Sequence, residues 1–212
     1  MAKFPDPPPV TDLAALATDT YLLPAGSLLW RIYARDSRYP AGWNHFRFFG
    51  PLRSARFDHH KRDAAGNPYP QARGIYYAAD NIVTCLAEYF QEKRAINRTR
   101  RDPWLVGFET TADLTLLNLR GPWPTAAGAS MDINSGERGR AKRWSTALYD
   151  AYPSVQGLWY ASSMYANSPS VALYERATHA IPRSPIFHRA LSDPTLYLRL
   201  DEAASTLRYS LI

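Results

Sequence analysis

One glutamate in this chain of 212 residues is placed where a catalytic carboxylate could act. It lies on a predicted helix whose apolar face consists of Val83, Leu86, Ala87 and Phe90. At about 100° per residue, Glu88 lies about 140° from Val83 around this helix and therefore points away from the apolar face. Its helical neighbours Thr84 and Glu92 offer it no ion pair. The Glu88 carboxylate is either free to act on a ligand or an ordinary solvated group.

Two arginines next to aromatic residues have the chemistry of anion ligands. Arg31 lies between Trp30 and Ile32 in an otherwise apolar stretch, where a charge is costly unless it is paired or reaches a cleft. Arg56 directly precedes Phe57. A guanidinium group can hold an anion such as phosphate through two parallel hydrogen bonds, which the ammonium group of lysine cannot do. Each arginine alone is either a structural salt-bridge partner or an anion ligand.

The histidines, the cysteine and the glycines indicate no further reactive centre. Asp58, His59 and His60 are adjacent, but no second group with metal-ligand spacing accompanies them, so we expect a solvated loop and no metal site. Cys85 has no general base near it in sequence, so we expect it to be a small buried residue of a helix and not a nucleophile. The glycines form neither a dinucleotide fingerprint nor a phosphate-binding loop, which disfavours Rossmann redox chemistry and P-loop phosphoryl transfer.

The net charge of +6 originates in one short segment. Residues 93–101 hold five basic side chains and no acidic one, and the rest of the chain is nearly neutral. Such a segment suits an anionic partner, but it also suits the end of a helix, where cations complement the helix dipole. A second basic group consists of Arg138, Arg140, Lys142 and Arg143.

The elements that must position these residues predict a single α+β domain, with central mixed or antiparallel β-sheets and flanking helices. Residues 28–33 form a predicted strand that carries Arg31, and residues 74–79 form a strand that leads directly into the Glu88 helix, capped by Asp80 or Asn81. Further strands are predicted at 105–110, 114–119, 157–163, 170–174, 196–200 and 206–211. A second helix contains Trp144, Leu148 and Ala151 and ends before Pro153, while residues 36–70 predict a long loop with short strands.

The N-terminal part differs in composition from the rest of the chain. Residues 1–27 predict a proline-rich arm and a short helix capped by Thr11 or Asp12, and residues 28–212 predict the globular domain. Charged residues such as Asp12 and Asp19 interrupt the apolar patch after the arm, so we expect no signal peptide. No stretch approaches the roughly 18 apolar residues of a membrane span. Together with a single cysteine, these features indicate a cytoplasmic protein.

An ordered set of short motifs resembles the RES-domain family, whose name records Arg, Glu and Ser. The motifs are Trp30-Arg31-Ile32-Tyr33, Ser54-Ala55-Arg56-Phe57, Gly74-Ile75-Tyr76-Tyr77-Ala78-Ala79, Leu86-Ala87-Glu88 and Tyr160-Ala161-Ser162. They span about residues 28–176 in the family's order. The chain departs from the family at Ser54 and Ala55, where the family has two glycines, and at Ile32, where it has tyrosine. Tyr33 is the candidate replacement for that tyrosine.

The resemblance implies a fold related to the ADP-ribosyltransferase toxins and an enzyme that breaks the nicotinamide–ribose bond of NAD. It implies catalytic roles for Glu88, Arg31 and Ser162, and substrate-binding roles for Arg56, Tyr77 and Tyr33. It implies no cofactor, since NAD is the substrate, and it leaves the choice between NAD glycohydrolase and NAD phosphorylase open. The acceptor of the ribosyl group is accordingly water, inorganic phosphate or a protein side chain.

One carboxylate is chemically sufficient for such a reaction. Most glycosidases use two carboxylates, one of which protonates the leaving oxygen. Nicotinamide is bound through a positively charged ring nitrogen and leaves as a neutral molecule, so it requires no general acid. Glu88 alone is therefore adequate to stabilise the developing ribosyl cation.

The resemblance also implies a protein partner, an Xre-like antitoxin, through which contact with nucleic acid is only indirect. It implies no membrane association, and a homo-oligomer stays an open alternative. Two other functions remain compatible with the residues. One is a nucleic-acid-binding protein that uses residues 93–101 against a phosphate backbone. The other is a non-catalytic module that docks a protein partner through the same segment.

Overall fold

The helices and strands lie within residues 3–36 and 42–212, the part of the chain that this computed structural model describes. The strands are β1 (Thr20–Leu23), β2 (Leu28–Ala34), β3 (Arg47–Gly50), β4 (Tyr69–Ala79), β5 (Ala95–Ile96), β6 (Pro103–Glu109), β7 (Leu114–Asn118), β8 (Gly157–Ala161), β9 (Pro169–Tyr174), β10 (Phe187–Ala190) and β11 (Ser210–Leu211). The α-helices are α1 (Val10–Ala14), α2 (Ile82–Tyr89), α3 (Trp123–Ala126), α4 (Arg138–Ala151) and α5 (Tyr197–Leu207). Short 3-10 helices cover Met131–Ile133, Glu175–Ala180 and Pro194–Leu196.

A large mixed β-sheet forms the centre of the molecule, in the order β1-β7-β8-β9-β4-β2-β6-β10. β3 pairs with β4 outside this path, and β11 and β5 form a separate small parallel sheet. Among the described strands of the large sheet, β7 and β8 are parallel and the other pairs are antiparallel. Helices flank the sheet, so the predicted single α+β domain is confirmed.

The sheet opens between β2 and β4. Along the described residues these neighbours share one paired position, Trp30 with Ala79, whereas all seven residues of β2 pair with β6. Arg31 follows Trp30, and its Nη1 donates a hydrogen bond to the Tyr77 carbonyl oxygen at 3.2 Å. An arginine side chain thus bridges the strands where the backbone ladder stops. The two strands diverge beyond this point, and the candidate site lies at the divergence.

Two groups of helices bury the two ends of the sheet. Trp144 and Leu148 of α4 pack in one core cluster with Tyr174 of β9. Leu86 of α2 and Leu200 of α5 pack in another cluster with residues of β2 and β6. The spacing of these buried residues is that of amphipathic helices, so each of the three helices packs one apolar face into these clusters.

Most predicted elements are confirmed, with ends that differ by a few residues. The strands around 28–33, 74–79, 105–110, 114–119, 157–163 and 170–174 are present as β2, β4, β6, β7, β8 and β9. α2 begins after Asn81, whose side chain accepts a hydrogen bond from the Thr84 amide at 2.8 Å, and α4 ends at Ala151. In the predicted loop at 36–70, the described residues contain β3 and the start of β4, while residues 37–41 lie outside the described part.

The predicted strand at 196–200 is wrong, and the one at 206–211 is confined to β11. α5 covers Tyr197–Leu207 instead, because the buried residues Leu196, Leu200 and Ala204 recur every four positions. Leu198, which an alternating strand would bury beside them, is 79% exposed. In residues 196–200 leucine alternates with tyrosine or arginine. This short alternation is typical of a strand, although the buried residues follow a helical repeat.

The residues before position 28 pack against the domain. Phe4 is buried and stacks on Trp144, whose indole N–H donates to the Pro5 carbonyl oxygen at 2.8 Å. β1 was not among the strands predicted from the sequence, and it joins the large sheet beside β7. α1 begins at Val10 after Pro9, with no side-chain cap from Thr11 or Asp12, so that part of the prediction is wrong. No helix of the described residues combines the length and apolar character needed to cross a membrane.

Candidate functional site

A cleft of about 880 Å³ opens beside the divergence of β2 and β4. Its volume lies in the range of small-molecule sites. Arg31 comes to this cleft from β2, Tyr77 from β4, Glu88 from the last turn of α2, and Arg56 from the segment after β3. The structure therefore brings together four predicted site residues from four separate parts of the chain.

Ser162 holds the Glu88 carboxylate in place. The Ser162 hydroxyl donates a hydrogen bond to Glu88 Oε1 at 2.6 Å. The same hydroxyl oxygen accepts hydrogen bonds from the Met164 and Tyr165 amides at 3.1 and 3.2 Å. A hydroxyl has one proton, and two acceptor positions that these amides occupy, so its proton is directed to Glu88. Ser162 is 1% exposed whereas Ser163 is exposed, so the buried serine is the one that contacts the carboxylate.

The second Glu88 oxygen keeps free hydrogen-bonding capacity. Among the described residues, Glu88 Oε2 receives only a long contact of 3.4 Å from Gln91 Nε2. Gln91 in turn accepts a hydrogen bond from Arg138 at 2.5 Å. Since a carboxylate oxygen has two acceptor positions, Oε2 can accept a further hydrogen bond from a ligand hydroxyl.

Arg31 is stabilised without a carboxylate partner. Its guanidinium carbon lies 4.0 Å from the centre of the buried Tyr76 ring, and its Nη1 donates to the Tyr77 carbonyl oxygen. No ion pair to Arg31 occurs among the described residues, and its Nε is buried without a hydrogen-bond partner there. A cation–π contact and one carbonyl keep the charge at this position while most of its donors remain available.

Arg56 is likewise held by carbonyl groups. It donates to the carbonyl oxygens of Gly136 at 2.7 Å and Ser135 at 3.2 Å. Burial, followed by the charge of Arg138, lowers the pKa of Arg56, while the Glu88 carboxylate opposes that shift. These effects place two guanidinium groups and one carboxylate close together. Such a cluster favours a ligand that is itself anionic.

The two predicted tyrosines have different environments. Tyr77 is half-buried in the cleft wall, and burial raises its pKa well above the ordinary value, so it stays a neutral ring. Tyr33 does not line the cleft. Its hydroxyl lies 2.9 Å from His188 Nε2 on β10, and its ring packs beside the same histidine. The structure therefore does not bring Tyr33 together with the other predicted site residues.

The expectation of a solvated loop at Asp58-His59-His60 is wrong. Asp58 and His59 are 0% exposed and His60 is 3% exposed. Asp58 accepts hydrogen bonds from Arg47 at 2.8 Å and from the Leu52 amide at 2.6 Å, and its other oxygen lies 2.5 Å from His60 Nδ1. Burial alone would raise the pKa of Asp58, but these partners lower it to about 2. The satisfied carboxylate folds inward and anchors the segment that carries Arg56.

Two further expectations concerned Cys85 and a metal site. Cys85 is confirmed as a buried helix residue, and burial raises the pKa of its thiol to about 12. Within residues 3–36 and 42–212, no group of three metal-ligating side chains is arranged to hold an ion.

Residues that reasoning from the sequence missed also line the cleft, namely Gln91, Asn134 and Tyr160. Tyr160 lies in the Tyr160-Ala161-Ser162 motif, which could have indicated it, whereas Gln91 and Asn134 carry no motif signal and approach the cleft through long-range packing.

Comparison with known proteins identifies a family and a related fold. A family model described as RES domain matches residues 28–201. The fold is similar to that of a chain in the crystal structure of the M. tuberculosis MbcT–MbcA toxin–antitoxin complex, with a TM-score of 0.56 and 16% sequence identity. The match covers 91% of this chain and 96% of that one. Comparison with curated proteins gives no match.

Proposed function

Because this chain belongs to the RES domain family, we propose that it is the toxin of a toxin–antitoxin pair and that it consumes NAD by breaking the nicotinamide–ribose bond. The similarity of its fold to a chain of a toxin–antitoxin complex supports the first part. The second part rests on one observation. The buried hydroxyl of Ser162 directs its proton to Glu88 Oε1 and so fixes a carboxylate at a cleft that also contains Arg31 and Arg56.

In the proposed reaction the bond between ribose C1′ and the pyridinium nitrogen breaks, and its electron pair neutralises the nicotinamide ring. Positive charge develops on the ribose carbon and ring oxygen. Glu88 is fixed before the reaction begins, so its carboxylate stabilises that charge without reorganising. Oε2, with its remaining acceptor capacity, would accept a hydrogen bond from a ribose hydroxyl. No proton needs to be supplied to the leaving group.

Arg31 and Arg56 would hold the diphosphate. Both guanidinium groups are in the cleft, and neither has a carboxylate partner among the described residues. Several N–H groups of each remain available for phosphate oxygens. Tyr77, a neutral ring in the cleft wall, would pack against nicotinamide or ribose. The binding roles are thereby separated from the charge-stabilising role of Glu88.

The acceptor that completes the reaction is water or inorganic phosphate. Attack of water on C1′ gives ADP-ribose and releases a proton, whereas attack of phosphate gives ADP-ribose-1″-phosphate. Both require only an acceptor on the face of the ribose that nicotinamide leaves open. The protein partner in this proposal is an Xre-like antitoxin, and both partners act in the cytoplasm, where NAD is present.

The experiment that tests this proposal is product identification after incubation of the purified protein with NAD. We expect release of nicotinamide together with ADP-ribose, or with ADP-ribose-1″-phosphate when labelled phosphate is present and is the acceptor. Expression without an antitoxin should arrest growth, with cellular NAD falling before viability does. Unchanged NAD in both settings would refute the proposal. Growth arrest at constant NAD, with a salt-dependent shift of RNA or DNA mobility, would favour the nucleic-acid alternative.

A further inference from the structure

The basic segment at 93–101 contributes to the same cleft as Glu88. Lys93, Arg100 and Arg101 line the cleft, whereas Arg98 does not and instead donates to the carbonyl oxygens of Leu191 and Ser192. With Arg31, Arg56 and Arg138, the described lining contains six basic side chains, against the two acidic ones of Glu88 and Glu92. The diphosphate of NAD requires only a part of this positive charge.

The three basic cleft residues of the segment, Lys93, Arg100 and Arg101, have side chains that are free to bind a ligand. These side chains are exposed, and among the described residues none of them makes a hydrogen bond or an ion pair. The other basic group behaves differently. Arg140 and Arg143 pair with Asp6, and Lys142 donates to a backbone carbonyl. The segment therefore brings three cations without a side-chain partner among the described residues to one cleft.

Arg101 and Arg31 lie close enough for both side chains to reach one dinucleotide in the cleft. The Asp36 amide donates to the Arg101 carbonyl oxygen at 3.1 Å, so Arg101 lies beside residue 36, five residues beyond Arg31. At about 3.3 Å per residue in an extended strand, the two backbones lie no more than about 16 Å apart. Both arginines line the cleft, and their long side chains can approach each other across it. In a dinucleotide the diphosphate and a 2′-phosphate are attached to the same adenosine ribose, so two such guanidinium groups can each contact one of these phosphates.

An exposed aromatic ring lies next to these cations. Tyr89 lines the cleft and is 40% exposed. Burial is the main effect on its hydroxyl and raises its pKa, and Arg101 is close enough to oppose that shift. A flat exposed ring beside a guanidinium group offers a stacking surface for a nucleobase.

We propose that Lys93, Arg100 and Arg101 form a subsite for the 2′-phosphate of a dinucleotide, so that the cleft binds NADP better than NAD. This inference rests on the proposed function, because it assumes that the diphosphate lies at Arg31 and Arg56. The ligand chemistry is a phosphate dianion, which inorganic phosphate shares. A subsite for the 2′-phosphate distinguishes NADP from NAD, whereas a subsite for inorganic phosphate treats the two dinucleotides alike.

The experiment compares nicotinamide release from NADP and from NAD, each with and without inorganic phosphate. The test variant is Lys93→Gln/Arg100→Gln/Arg101→Gln. A charge-matched control removes three exposed cations outside the cleft lining, Arg94→Gln/Arg183→Gln/Arg199→Gln. We expect kcat/KM for NADP to fall about tenfold in the test variant and that for NAD about twofold or less, since the lost charge-assisted contacts are made to the 2′-phosphate. The control should keep the wild-type ratio.

A binding measurement keeps the inference separate from the proposed function. Adenosine 2′,5′-bisphosphate and adenosine 5′-phosphate are titrated against the wild type and the test variant, which requires no catalysis. Tighter binding of the bisphosphate to the wild type, lost in the test variant, would support the subsite even if neither dinucleotide is cleaved. Equal losses for NADP and NAD, or a loss seen only in the presence of inorganic phosphate, would overturn it.

Discussion

The cleft and the buried cluster of Asp58, His59 and His60 each contain a carboxylate close to an arginine, but they differ in how the hydrogen-bonding capacity of that carboxylate is used. Asp58 has acceptor contacts to Arg47, Leu52 and His60 and no exposure. Glu88 is half-buried, with one oxygen fixed and the other almost unoccupied. A carboxylate whose acceptors are all used stabilises the fold. A carboxylate that is fixed but not saturated can act on a ligand.

The same difference separates two residues that are neighbours in sequence. Arg56 and Asp58 are two positions apart, yet Arg56 faces the cleft and Asp58 faces the interior. The buried carboxylate anchors the segment, and the arginine uses that anchor to reach the site. Rigidity on one side of the segment thus supports binding on the other side.

The largest effect is expected from Glu88→Gln, which removes charge from the cleft without changing shape. Loss of a preorganised charge-stabilising group typically costs about 10²- to 10³-fold in rate, so we expect nicotinamide release to fall by that factor. The amide can still accept the hydrogen bond from Ser162, so the thermal midpoint should stay near that of the wild type. Kinetics and thermal unfolding of the same preparation measure both. If growth arrest persists in this variant, the non-catalytic partner-binding function is correct.

The buried cluster should instead control stability at mildly acidic pH. Burial, followed by the charges of His60 and Arg73, lowers the pKa of His59 to about 2. The unfolded chain binds a proton at this histidine below about pH 6.5, but the folded chain does not, so stability falls as the pH is lowered through that value. At about 1.4 kcal/mol per pH unit, the loss reaches about 3 kcal/mol at pH 4.5.

Denaturant unfolding between pH 7 and 4.5 checks this, with His59→Phe as the comparison. A phenyl ring can occupy the site between Tyr149 and Tyr174 and binds no proton. The pH dependence above 4.5 should be much weaker in the variant, while the rate of nicotinamide release per folded molecule at pH 7 stays unchanged. Equal pH dependence of the stability of both proteins would mean that His59 is not the source of the acid sensitivity that we assign to the buried cluster.

The sequence could predict the elements of the cleft but not the difference between these regions. Helical spacing alone placed Glu88 away from the core face of α2, and Arg31 could be recognised as a charge within an apolar strand. The ring of His59 is buried by its contacts with Tyr149 and Tyr174, which lie far along the chain and which no local pattern encodes. Tyr33 failed for a similar reason, since its hydroxyl meets His188 from a strand that was not predicted. Contacts between distant parts of the chain decide which polar residues are satisfied.

The smallest effect tests whether Glu88 is fixed by Ser162 in the way that the comparison requires. Ser162→Ala removes the hydrogen bond to Glu88 Oε1, and a neutral donor to a charged acceptor contributes roughly tenfold in rate when it positions the group. We expect kcat to fall about tenfold with KM nearly unchanged, because Arg31 and Arg56, the proposed ligands of the diphosphate, are untouched. Ser163→Ala is the matched control: this exposed neighbour lines the cleft but makes no side-chain hydrogen bond among the described residues, so the variant should keep most of the wild-type kcat. Ser162→Thr retains the hydroxyl and should recover most of the rate, whereas an equally impaired threonine variant would assign the loss to packing around the Met164 and Tyr165 amides.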